Sequence, residues 1–194
     1  MSGKLFIISA PSGAGKTSLV DDVLPRLQDV CSIDRLITYT SREKRPGERE
    51  SVDFNYISDK EFENKIHQGF FIEWSKAYDH YYVSPADVVQ DLGNGKSKIL
   101  VIDQVGAKKL TERIPDVVTI WIYTPTVDVL RQRLLQRGHN SEKQIERRLE
   151  RAKFELEEEA KKIFYKYHIL NDVFDDAAKH LEQILVNELK NFTL

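Results

Sequence analysis

The run Ala10-Pro11-Ser12-Gly13-Ala14-Gly15-Lys16-Thr17 gathers the residue types that hold a nucleotide's phosphates. It fits the pattern G-x-x-x-x-G-K-[ST] at every fixed position but the first, where alanine stands for glycine. Gly13 and Gly15 admit backbone angles that turn successive N–H groups toward one anion, and the helix that follows presents its positive end to the same anion. Lys16 is placed to bridge the β- and γ-phosphates, and the Thr17 hydroxyl to ligate Mg²⁺. A phosphate-binding segment from Ala10 through Ser18 is therefore expected, with ATP as donor and Mg²⁺ carried with it.

Two further sets of cations suit phosphoryl transfer. Arg42 and Arg45 stand three residues apart before the turn residues Pro46-Gly47, so two guanidinium forks could share one phosphate dianion. Taken alone, the segment suits a solvated basic turn as well. Arg133 and Arg137 lie four apart and share a helix face, Arg148 follows on the next helix, and Gly138 between them is a natural hinge. The segment 137–158 is dense in charge. Its plain reading is a solvated amphipathic helix, and a mobile lid is the competing one. Transfer of a phosphoryl group asks for alignment, charge neutralisation and exclusion of water, so no catalytic base is expected. His67, His80, His139, His168 and His180 show no metal-site spacing and read as structural or surface residues.

The elements that must position these residues follow from the apolar pattern. Leu5–Ile8, Lys98–Asp103 and Val117–Tyr123 are short unbroken apolar runs, the mark of strands buried on both faces, and Pro115 and Pro125 bound the third. Tyr167–Leu170 adds a last short strand. A helix carrying Leu19, Val20, Val23, Leu24 and Leu27 follows the phosphate loop and is kinked or shortened near its end by Pro25. Further helices are expected at 86–92, 104–113, 127–137, 142–163 and 175–190. This alternation implies a parallel α/β sheet wrapped by helices. Residues 33–84 break it: the half-apolar runs Leu36–Thr40, Phe54–Ser58 and Phe70–Trp74 around a helix at 59–68 read as a small mixed insertion with antiparallel strands. The expected division is a core at 1–32, 85–136 and 159–194, an acceptor-binding insertion at 33–84, and a lid at 137–158.

Composition narrows the function classes. With 29 Lys+Arg against 31 Asp+Glu the net charge is -2, so any basic site is local and no general affinity for nucleic acid is expected. The lone Cys31 excludes an internal disulfide framework and fits a reducing compartment. No apolar run approaches membrane-spanning length, and a soluble cytoplasmic protein is expected; the oligomeric state is left open.

The order SAPSGAGKT, TSREKRPGE, FIEW, YYVS, VIDQVGA, RLLQRG and ILND, spread over essentially the whole chain, resembles the guanylate kinase family of P-loop nucleoside monophosphate kinases. The resemblance implies an enzyme that phosphorylates GMP, and dGMP, at the expense of ATP. It implies that Arg42, Arg45 and Tyr82 grip the acceptor phosphate, that Thr38, Glu73, Ser84 and Asp103 contact the guanine, and that Arg133, Arg137 and Arg148 contact the ATP phosphates and the transferring group. It places Asn171 and Asp172 near the adenine. Arg147 and Arg151 receive no such role and are expected to face solvent. Asp103 is open to two readings, a metal-side carboxylate or a guanine contact.

The chain departs from the pattern at Phe54, where a tyrosine is usual, and at Val83, Val101 and Val105. Phe54 and Val83 are expected to fall in the acceptor pocket. They keep open a kinase with a different small phosphorylated acceptor. A non-catalytic guanylate-kinase-like binding module is a third class, one that typically loses the P-loop lysine or the lid arginines.

Overall fold

The computed structural model describes residues 3–28, 30–77, 79–114, 116–138 and 141–190; Pro115 and His139 lie outside the described residues. The elements begin with β1 (Leu5–Ser9), α1 (Lys16–Leu27), β2 (Ile33–Arg35), β3 (Tyr39–Thr40), β4 (Asn55–Tyr56), α2 (Asp59–His67), β5 (Phe71–Ala77) and β6 (His80–Pro85). They continue with α3 (Val88–Gly93), β7 (Ser97–Val101), α4 (Gln104–Thr111), β8 (Val118–Tyr123), α5 (Val127–Gln136), α6 (Glu142–Lys161), β9 (Tyr167–Leu170) and α7 (Phe174–Lys190). The fold is parallel-sheet α/β with an additional mixed sheet, and the chain divides into two compact units, Met1–Leu5 with Ile33–Val117 and Phe6–Ser32 with Val118–Leu194.

In the second unit β1, β8 and β9 run parallel, with Phe6 opposite Val118 and Ile120 opposite Tyr167. Leu5 through Ile8 and Val118 through Ile122 are buried without alternation, as strands covered on both faces must be. The α1 face of Leu19, Val20, Val23 and Leu27 packs with α7, which buries Ala177, Ala178, Leu181, Ile184 and Leu185. Pro25 sits inside α1, which ends two residues later at Leu27, since proline removes an amide donor from the helix. α6 is opened by a reciprocal cap between Ser141 and Gln144. At its far end the buried Glu159 is an anchor: its Oε1 accepts from the Phe164 N–H at 3.0 Å and the Tyr165 N–H at 3.1 Å, and lies 2.9 Å from His168 Nε2.

In the first unit β2 and β7 pair in parallel, and a four-stranded sheet runs in the order β4-β3-β6-β5. The β3–β6 and β5–β6 pairs are antiparallel, but β3 and β4 pair in parallel, which corrects the expected antiparallel set. The joining chain between β3 and β4 is long enough to return to its starting end, so a hairpin is not forced. β6 was not expected at all, because His80-Tyr81-Tyr82 carries no aliphatic run; its buried half is Val83-Ser84-Pro85, and the half-buried Tyr81 packs against rings. Phe62 of α2 stacks on Tyr81 at 3.9 Å between centroids and on Phe71 at 5.6 Å. Strands β3 and β4 are shorter than the runs Leu36–Thr40 and Phe54–Ser58, and β7 stops at Val101, because Asp103 is already the N-cap of α4.

Replacing Glu159 with alanine strands the amides it caps in a buried setting. It is expected to cost about 3 kcal/mol of unfolding free energy, read from the midpoint shift in urea denaturation.

Candidate functional site

The loop after β1 has the backbone its glycines anticipate. Gly13 has φ 96° and Gly15 has φ 92°, both left-handed, and Gly15 is the N-cap of α1 with its carbonyl accepting from Leu19 N–H at 3.0 Å. The Ala14 N–H closes a turn on the Pro11 carbonyl at 3.1 Å. Lys16 and Thr17 follow in the first turn of the helix, both half-buried, and Ser18 is exposed.

Three side chains brace this loop from later in the chain. Asn171, 2% exposed, donates from Nδ2 to the Ala14 carbonyl at 2.7 Å. Arg133 donates to the Ala14 carbonyl at 3.4 Å and to the Asn171 carbonyl at 3.0 Å. Arg148 donates to Ser12 Oγ at 3.1 Å. Ser12, Ala14, Arg133, Arg148 and Asn171 are thus brought together, Ala14 and Asn171 from 157 positions apart in sequence. Arg137 is the exposed residue that ends α5, and Gly138 after it has φ 68°. Arg147 is exposed, but Arg151 is not simply solvent-facing: it pairs with the buried Glu155 at 2.8 Å.

The other unit holds a second cluster. Arg42, 8% exposed, donates to the Glu43 carbonyl at 2.6 Å and to Glu48 Oε1 at 2.8 Å, while its Nε is buried with no hydrogen-bond partner among the described residues. Its backbone N–H is held by Thr40 Oγ1 at 3.2 Å. The Arg45 N–H and the Tyr56 hydroxyl both donate to Glu48 Oε2, at 2.8 and 2.7 Å. Burial raises the Glu48 pKa, but the bonds from Arg42, the Arg45 amide and Tyr56 outweigh it and hold the carboxyl at about 2. The Arg42 guanidinium carbon lies 5.5 Å from the Phe54 ring centroid, and Phe54 in turn meets Tyr82 edge-on at 6.2 Å.

A carboxylate occupies the same sheet. Glu73 of β5 is 2% exposed; its Oε1 accepts from Ser84 Oγ at 2.8 Å and its Oε2 is buried without a partner among the described residues. Burial drives the Glu73 pKa up to about 7, and the nearby Asp103 charge adds to the rise against the Ser84 bond. Asp103 caps α4 through a 2.8 Å bond from Gly106 N–H and accepts from Ser75 Oγ at 3.1 Å. Strand alternation puts Glu73 and Ser75 of β5 with Tyr82 and Ser84 of β6 on one face, since Glu73 is opposite Ser84 and Ser75 opposite Tyr82. Asp103 therefore stands among the Glu73 group. Thr38 is buried and gives its carbonyl to the Asn55 N–H at 2.9 Å.

Alternation also corrects the placing of Val83. It is 1% exposed, opposite Trp74 and Tyr39, on the face of Tyr81 rather than that of Tyr82 and Ser84, and it belongs to the small aromatic core. Val105 is exposed on α4 and Val101 half-buried in β7. Sequence reasoning missed Glu48, Thr40 and Ser75, and left Tyr56 as one of three tyrosines, with Tyr39 and Tyr81, that could supply the hydroxyl Phe54 lacks. Glu48 stood inside TSREKRPGE, three residues after Arg45, where a tight turn at Gly47 (φ 84°) folds it back; Ser75 stood one strand period from Glu73.

A guanylate kinase family model matches residues 2–188. The chain belongs to the guanylate kinase family. It is 37% identical over 189 residues to a curated guanylate kinase from Haemophilus ducreyi, covering 97% of this chain and 90% of that one. It is 38% identical over 185 residues to one from Coxiella burnetii, covering 95% and 87%. The crystal structure of guanylate kinase from Anaplasma phagocytophilum superposes with a TM-score of 0.78 at 28% identity, covering 96% of this chain and 86% of that one. Phe54 is thus a feature of a member of the guanylate kinase family, in a cluster whose only other ring facing Arg42 among the described residues bears a hydroxyl.

A Cβ at Gly15 would stand 2.5 Å from Asn171 Nδ2 in a conformation that disfavours side chains. Gly15→Ala is expected to weaken nucleotide binding roughly tenfold or more by costing about 1–2 kcal/mol of backbone strain and expelling Asn171, read by calorimetric titration with ATP.

Proposed function

We propose that this chain transfers the γ-phosphate of ATP to GMP, and to dGMP, giving ADP and the guanosine diphosphate. The observation that carries this reading is the buried Glu73 carboxylate, with one oxygen on Ser84 and the other unpartnered. A buried acceptor without a donor is costly, and guanine offers a matching pair, N1–H beside the 2-amino group, which adenine lacks. Asp103, fixed by Gly106 and Ser75, and Thr38 complete the proposed base contacts.

The phosphate end of the acceptor falls to Arg42, Arg45 and Tyr82. The unpaired Arg42 Nε supplies a donor already desolvated, so binding there need not break a contact with water. On the donor side the backbone of Ala10 to Gly15 and the α1 terminus would cradle the ATP phosphates, with Lys16 on the β- and γ-oxygens. Among the described residues no group of three or more His, Cys, Asp or Glu side chains could hold a metal. Thr17 offers a hard oxygen in the first turn of α1, which fits Mg²⁺ entering with its nucleotide. Bound so, Mg²⁺ would neutralise charge on the phosphate oxygens.

Arg133 and Arg148, already tied to the loop, and Arg137 at the Gly138 hinge are proposed to stabilise the charge that develops in transfer. The segment 137–158 is proposed to close as a lid that excludes water. Proton removal from the acceptor phosphate requires no base, since it is already anionic at neutral pH. Among the described residues no helix is long and apolar enough to cross a membrane, and the lone cysteine suits a reducing cytoplasm.

A coupled ADP-release assay with ATP, Mg²⁺ and GMP, dGMP, AMP, CMP, UMP or IMP tests the reading; strong turnover with AMP and none with GMP would refute it. Lys16→Ala is expected to lower turnover by several orders of magnitude with an unchanged thermal unfolding curve. Glu73→Gln should lower kcat/KM for GMP by about 10²-fold, because a charged acceptor facing two donors is lost. Since ionised Glu73 is the form that accepts both N–H groups, KM for GMP should fall as pH rises through about 7. Without ligand the sign reverses. A carboxyl raised from its ordinary 4.5 to about 7 favours folding below the lower value, and that contribution is lost as pH climbs through the higher one, so denaturation midpoints should drop across that window in the wild type and less in Glu73→Gln.

A further inference from the structure

Phe54 and Tyr56 flank Asn55 at the start of β4 and, two residues apart, face the same side. Both rings approach the Arg42 guanidinium, at 5.5 and 5.9 Å from its carbon, and they touch edge-on at 6.0 Å. Phe54 brings only a π face. The hydroxyl on this side belongs to Tyr56, and it is committed to Glu48 Oε2, the same oxygen that accepts the Arg45 N–H. Glu48 Oε1 meanwhile holds one terminal nitrogen of Arg42. Glu48 is thus a hub with three donors, two of them from the arginines assigned to the acceptor phosphate.

A carboxylate bound by Arg42 alone would be held only by the turn 43–48 and one guanidinium. The 2.7 Å bond from a ring half-buried in the sheet ties it to β4 instead. With one Arg42 terminal nitrogen on Glu48 and the other on the Glu43 carbonyl, the guanidinium is fixed on both sides and its Nε is left pointing at nothing. That is the arrangement of a pre-aimed donor. The depressed acidity of the Tyr56 phenol, raised in pKa by burial and by its bond to the ionised Glu48, keeps the hydroxyl a donor across the working range.

We propose that Tyr56 is a positioning residue of the acceptor-phosphate site: through Glu48 it holds Arg42 and the Arg45 backbone in phosphate-binding geometry, a part that Phe54, having no hydroxyl, does not play. The inference rests on the acceptor reading above and adds a residue to it. Tyr56 makes no contact with substrate in this account, and its effect is confined to the phosphate end.

The test uses Tyr56→Phe, which keeps the ring, together with Phe54→Tyr and the exchanged pair Phe54→Tyr/Tyr56→Phe. In Tyr56→Phe, KM for GMP should rise roughly tenfold, the scale of one hydrogen bond to a charged group, with KM for ATP unmoved and kcat falling by less than KM rises. Calorimetric titration should show the same loss for GMP and none for guanosine, which lacks the phosphate. The exchanged pair, returning a hydroxyl to the Arg42 face, should recover most of the GMP affinity. Tyr56→Phe and Glu48→Gln should be strongly non-additive when combined, because they break one chain of contacts. An unchanged KM for GMP in Tyr56→Phe overturns the inference, as does an equal loss of affinity for guanosine, which would mark Tyr56 as merely structural. Failure of the wild type to bind or turn over GMP refutes the acceptor reading and the inference with it; that result is told apart because it appears before any substitution is made.

Discussion

Phosphate oxygens are strongly hydrated, so a protein holds them only with donors fixed before the ligand arrives, and in the reading proposed above this requirement shapes each unit of the chain. With a net charge of -2 no diffuse positive field does the work. In one unit the donors are backbone amides, turned inward by two left-handed glycines and locked by Asn171 and Arg133 on the Ala14 carbonyl. In the other they are side chains, and a carboxylate, Glu48, does the locking. Each solution uses up part of the hydrogen-bonding capacity of its arginines on protein oxygens. What remains is aimed rather than mobile, and the entropy of ordering it has already been spent in folding.

The base end of the acceptor site poses the opposite problem. In the proposed reading Glu73 is buried to discriminate between donor faces, yet burial favours its neutral form and moves its titration to about 7. Ser84 relieves one oxygen, and Asp103 is kept from adding more repulsion by having its own oxygens bonded to Gly106 and Ser75. The outcome is a carboxylate poised between its two forms, which ligand donors would tip toward the ion. Specificity here draws on an unpaired buried atom, and that is a cost in the free protein.

Away from the sites, the aromatic side of the mixed sheet and the Glu159 anchor show how the supporting frame is held. Phe62, Tyr81, Phe71 and Tyr39 form a small core where aliphatic residues are scarce. Val83 contributes to that core, and its apparent departure from the family's pattern is a matter of packing on the face away from Glu73. In the other unit, the turn after α6 folds back on Glu159, which fixes where β9 begins and so where Asn171 emerges beside the loop.

The sequence by itself determined the elements whose signals are local. Unbroken apolar runs marked β1, β7 and β8, the 3.6-residue spacing marked α1 and α5 to α7, and the two glycines with Lys16 and Thr17 marked the phosphate loop, because backbone angles and helix termini depend on neighbours in the chain. It also named Arg42, Arg45, Glu73 and Asp103 through a motif order that runs the length of the chain. Only the tertiary structure decided which face each strand residue takes, that β3 and β4 run parallel, and that β6 exists at all, since the rings that Tyr81 packs against are contributed by α2 and β5. The partners of Glu48 and Asp103 were equally invisible: Ser75 and Tyr56 reach them from other strands, and hydrogen bonds between residues distant in sequence leave no periodicity to read.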